Sequence, residues 1–98
     1  MGGRGSSNPG GVKLSPEQKT SIRNGVANHT SAQNDRAEAG YKRDIAREKE
    51  IVDRKSDYIR VGYIKSASDP WFQGHLNSYN TLVAKYNVFK KERKRQKR

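Results

Sequence analysis

Seven of the nine residues in the segment 90–98 are Lys or Arg, and only one, Glu92, is acidic. Lys90, Lys91, Arg93, Lys94, Arg95, Lys97 and Arg98 make this the densest run of one charge in the chain. Such a run neutralises phosphates and releases their counterions, which gives salt-dependent affinity without reading a base sequence. Arg4 and Lys13 add two cations near the other terminus, Arg4 within a Gly-Arg-Gly triplet of the kind found in RNA-binding segments. A basic run also serves as a solubilising tail or a nuclear address. Near the end of a helix it suits the macrodipole as well.

The second group is aromatic. Trp71 and Phe72 directly follow a strong helix start, and Tyr79 and Tyr86 lie further along the same periodic run. Rings so placed either stack on bases and fill partner pockets, or pack one helix on another. Their helical spacing favours packing.

Little else could do chemistry. His29 and His75 are the only histidines, they fall in different predicted elements, and the chain has no Cys. A tetrahedral metal site would need carboxylates to complete it. Gly2-Gly3-Arg4-Gly5 leads into no strand and no Lys-Ser/Thr pair, so it is not a phosphate-cradling loop. We therefore expect no catalytic residue, no cofactor, no metal and no small-molecule substrate.

The elements that must carry these residues read as helices. Residues 1–14 hold five Gly, one Pro and two Ser, and predict a flexible arm. Ser15-Pro16-Glu17-Gln18 is a capping box with Pro at the first helical position. It predicts a short helix that ends around Gly25 to Thr30. A second helix should start near Thr30 or Asn34, with Ala37, Tyr41, Ile45, Val52, Ile59 and Tyr63 on one stripe that Glu48 and Lys55 interrupt. Residues 58–64 are rich in strand formers, but no second segment offers a pairing partner, so helix is preferred there. The third helix is capped by Asp69 with Pro70 after it, and Phe72, Leu76, Tyr79, Val83 and Tyr86 recur at alternating fours and threes.

The expected fold is all-α. A short N-terminal helix precedes a long antiparallel hairpin made of residues about 31–66 and 69–95, within a single domain over 15–89. A basic tail, 90–98, follows it.

Composition bounds the rest. The formal net charge is +11, while Leu, Ile, Val and Phe number 16 of 98 residues. That is below the roughly 20% at which high charge begins to oppose folding. The core should be thin, and the chain better ordered as a homo-oligomer or on a partner. No apolar stretch is long enough for a membrane span or a secretory leader. A cytoplasmic or virion-associated protein is the expectation.

Two functions of different class follow. The first is nucleic-acid binding, RNA or DNA, through the basic segment with Arg4 and Lys13 on phosphates. The second is an inhibitor or scaffold that docks on an acidic or nucleic-acid-binding protein. In small size, charge and lack of catalytic motifs the chain resembles phage accessory proteins of the anti-defence or virion kind, in composition alone.

Overall fold

The computed structural model describes residues 12–96. Arg4, Lys97, Arg98 and the Gly-rich stretch through residue 11 lie outside them. Four helices follow in order: α1 (Pro16–Asn28), α2 (Ser31–Asp53), α3 (Lys55–Arg60) and α4 (Pro70–Gln96). No strand occurs among the described residues, and the fold is all-α.

Side chains write the helix starts. Ser15 Oγ accepts from the Gln18 backbone N–H at 3.1 Å, while Gln18 Oε1 accepts from the Ser15 N–H at 2.8 Å. Thr30 and Gln33 repeat the same reciprocal pair at the head of α2, with the same two distances. Asp69 Oδ1 accepts from the N–H groups of Trp71 and Phe72 at the head of α4. Each box satisfies donors that a helix leaves without partners in its first turn.

α4 is the organising element. At about 1.5 Å per residue its 27 residues span about 40 Å, most of the 49 Å long axis of the molecule. α1 and α2 both pack on it. Contacts with α2 run in opposite order along the two helices: Asp35 meets Arg93, Glu38 meets Tyr86, and Glu48 meets His75. The two are therefore antiparallel. Tyr41 stacks on Tyr86 with centroids 5.5 Å apart and lies 5.2 Å from Phe89. α1 is tied to α2 by Asn34, whose Nδ2 donates to the Val26 carbonyl at 3.1 Å.

The buried apolar residues are Leu14, Val26, Ile64, Phe72 and Phe89. Leu14, which composition alone assigns to the Gly-rich arm, is in this core. Leu76, Tyr79, Leu82, Val83 and Tyr86 are half-buried along α4. On the α2 stripe Tyr41, Ile45 and Val52 are half-buried too, but Ala37 is exposed, as is Ile59 beyond the helix.

The first arm of the expected hairpin is not one helix to residue 66. Arg54 steps to φ −92° and ψ 14°, and its N–H turns back to Ile51 at 3.1 Å. The chain restarts as α3 and ends in a Schellman turn. The Tyr63 N–H reaches the Tyr58 carbonyl at 2.9 Å and the Gly62 N–H reaches Ile59 at 3.1 Å. Gly62 takes φ 83°, and the Tyr63 ring rests 5.7 Å from Tyr58 across the turn. Residues 58–60 are thus helical and 61–64 form a turn, because these bonds satisfy the backbone locally.

A Cβ at Gly62 would meet nothing within 4 Å, so only its backbone angle resists substitution. Gly62→Ala is expected to cost about 1–2 kcal/mol, the strain of a left-handed L-residue. In urea unfolding the midpoint should fall at unchanged slope. An unmoved midpoint would show that the turn adds nothing to global stability.

Candidate nucleic-acid interface

α4 continues through the basic segment to Gln96, and this decides where its charges point. Lys90, Lys91, Lys94 and Arg95 are exposed, Arg93 is half-buried, and Glu92 is buried. Lys90 Nζ sits 4.6 Å from the centre of the Tyr86 ring, a cation–π contact.

Arg93 is committed inside the fold. Its side chain is 10% exposed, and Nη1 donates to Asp35 Oδ1 at 2.9 Å and to Glu38 Oε1 at 3.0 Å. Glu38 also accepts from the Tyr86 hydroxyl at 2.7 Å. This network clamps the head of α2 to the end of α4, so Arg93 belongs with the structure rather than with a phosphate surface. The Tyr86 hydroxyl, followed by Arg93 and Lys42, holds the Glu38 carboxyl below its usual range against the opposing effect of burial.

Burial first, and then the bond to anionic Glu38, push Tyr86 up from 10.0 to about 12. The unfolded chain loses this proton near 10.0, whereas the fold keeps it. The contribution of Tyr86 to stability is therefore complete below 10.0 and is lost as pH rises through about 12. Melting temperature should decline across that window, and Tyr86→Phe should flatten the decline. An equal decline in the variant would assign the loss to other groups.

A second helix contributes to the basic end. Lys19 and Arg23 of α1 face Asn87, Val88, Lys91, Glu92 and Arg95 of α4 across an open groove of about 460 Å³. Lys19 and Arg23 lie four apart, on one face of α1. The sequence had marked the C-terminal run with Arg4 and Lys13, and had passed over this pair in the mildly charged first helix. Four cations line the groove against one carboxylate, Glu92, which Arg95 grips through Nε at 3.2 Å and Nη2 at 3.0 Å. Gln96 Nε2 adds a bond of 2.6 Å. Arg95, then Gln96, and the nearby charge of Arg23 hold the Glu92 carboxyl below its usual range. Lys19, Arg23, Lys91 and Lys94 have no ion pair among the described residues.

The aromatic residues divide by environment. Phe72 is fully buried, Tyr79 is half-buried, and Tyr86 is held by Glu38. Trp71 remains 38% exposed, at the opposite end of α4 from the groove. Lys13 is exposed ahead of α1. His75 Nδ1 lies 2.6 Å from Glu48 Oε1, which explains why a carboxylate interrupts the apolar stripe of α2. Among the described residues no cluster of His, Cys, Asp or Glu could hold a metal ion, and no helix is long and apolar enough to cross a membrane. Comparison with protein-family models, with curated proteins and with solved structures gives no match.

Proposed function

We propose that this chain is a non-catalytic nucleic-acid-binding protein whose phosphate surface is the groove between α1 and α4. The observation that carries this reading is the convergence of Lys19 and Arg23 from one helix with Lys91 and Arg95 from another. Two helices make a surface that cradles a phosphate chain, where a lone charged tail makes only a diffuse attraction. The exposed Lys90 and Lys94 extend it, and Lys13, Lys97, Arg98 and Arg4 supply further cations in the sequence. The affinity is electrostatic and tolerant of base sequence, and it operates wherever the nucleic acid lies, in cytoplasm or virion.

The test is equilibrium binding of the full chain to DNA and to RNA across a salt series. If four to six cations contact phosphates, log Kd against log salt should have a slope of about 4–5 for a duplex. Binding should also raise the melting temperature by mass action on the folded state. The same cations recognise carboxylates, so the inhibitor or scaffold reading predicts capture of an acidic protein that survives nuclease treatment. Affinity for nucleic acid that is negligible at physiological salt would favour that reading.

A further inference from the structure

At the other end of α4 the surface changes character. Tyr63 is 64% exposed, Trp71 38%, Val61 67% and Ile59 39%. The turn at Gly62 carries Val61 and Tyr63, and the first turn of α4 carries Trp71. Exposed rings alone name no occupant, but their geometry and the charges beside them do.

Tyr58, Tyr63 and His75 stand at 85°, 87° and 68° to the indole of Trp71, with centroids 5.5, 5.1 and 4.8 Å away. Tyr63 meets Tyr58 at 47°. These rings brace one another, yet among the described residues none lies flat on Trp71 or Tyr63. The core uses its rings the other way, with Tyr41 stacked on Tyr86 at 24°. The exposed pair is thus held in place with its stacking positions unfilled.

Two ammonium groups flank it. Lys65 lies two residues beyond Tyr63, and Lys55 precedes Tyr58 by three and Ile59 by four, on one face of α3. Both lysines are exposed and have no ion pair among the described residues. The nearby carboxylates are engaged elsewhere: Asp57 by Arg60 at 2.9 Å, Glu50 by Arg54 at 3.2 Å, and Asp69 by the backbone at the head of α4.

We propose that Tyr63 and Trp71 form a stacking platform for the unpaired bases of a single-stranded nucleic acid, with Lys55 and Lys65 on its phosphates. Fixed rings beside free cations are what such strands require, since bases stack on the rings while the backbone follows the charge. An apolar protein surface would strip water from the two ammonium groups and give them nothing in return. This inference rests on the nucleic-acid reading above and adds the form of the ligand. From Trp71 to Lys91 is twenty residues of α4, about 30 Å. The groove therefore takes backbone at one end of the helix, and the platform takes bases at the other.

Trp71 is the only tryptophan of the chain, so its fluorescence reports on this face and not on the distant groove. Titration of the full chain with oligo(dT) should quench it, whereas a duplex of equal length should bind with little quenching. Tyr63→Ala, at an exposed position, should keep the helical circular dichroism, lose about tenfold in affinity for oligo(dT) and leave duplex affinity unchanged. Lys55→Ala with Lys65→Ala should lower the single-strand salt slope by about 1.4. Oligo(dT) that binds, by anisotropy of a labelled strand, without quenching Trp71 overturns the platform and leaves the groove reading standing. Absence of binding by either form overturns both. Quenching by polyglutamate equal to that by oligo(dT) also overturns the platform, because the face would then recognise carboxylates rather than bases.

Discussion

Phe72→Ala is expected to destabilise the protein by about 3–5 kcal/mol, the usual cost of emptying a buried phenylalanine site. Phe72 is the largest fully buried side chain, at 2% exposure. It sits two residues past a helix start that Asp69 and Pro70 fix in place, so the backbone around it has little freedom to collapse into the void. Domains of this size hold about 5–10 kcal/mol in all. The variant should therefore lose about half its stability, with a fall in melting temperature of about 4–8 °C per kcal/mol. Trp71→Ala, next door but 38% exposed, should leave the fold far less affected. Equal losses in the two variants would mean that the packing around Phe72 does not hold α4 in place.

Much of this fold was legible because its signals are local. A capping box needs only four residues, and Ser15 with Gln18 and Asp69 with Pro70 placed two helix starts. The apolar repeat of α4 identified its buried face, apart from Asn80 and Glu92, which are also buried. The break at Arg54 was not legible, since neither Gly nor Pro marks it. A single change in ψ ends α2, and the two flanking segments keep the same 3.6-residue period. Residues 58–64 were ambiguous for a related reason. Their β-formers serve a turn whose hydrogen bonds are local, and only Gly62 hints at it.

The site was half legible. Run length identified the basic segment, but it treated all seven cations alike. The α4 repeat, carried past Tyr86 by four and then three, lands on Arg93 and not on Lys94, but the density of the charge run masked that signal. Their difference arises because α4 continues as a helix, which turns Arg93 toward Asp35 and Glu38 and leaves Lys94 in solvent. Those partners are 58 and 55 residues away in the chain. Lys19 and Arg23 were missed for the same reason. Two cations in a mildly charged helix acquire meaning only when α1 is laid along α4.

Reversing three groove charges, with Lys19→Glu, Arg23→Glu and Lys91→Glu together, is expected to weaken nucleic-acid binding by at least about 10³-fold at low salt. Each reversal removes one phosphate contact and adds a repelled charge, and the salt slope should fall by about 3 for the contacts alone. All three side chains are exposed and outside any ion pair among the described residues, so the fold should survive, which circular dichroism and melting would show. Deleting residues 90–98 is a poorer experiment, because it also removes Arg93 and with it the clamp on α2.

Glu92→Gln supplies the opposite sign. In the free protein the Glu92 carboxylate occupies Arg95 with two bonds, in the place a phosphate would take. An incoming phosphate must compete with it for the guanidinium. Neutralising Glu92 releases Arg95 and removes the one acid lining the groove. Affinity should therefore rise several-fold, with the salt slope steeper by about one. Tighter binding by Glu92→Gln beside lost binding in the triple variant would locate the phosphates in this groove. If the triple variant binds like the parent while Lys90→Gln with Lys94→Gln does not, the phosphates lie on the outer face of α4, and α1 has no part in binding.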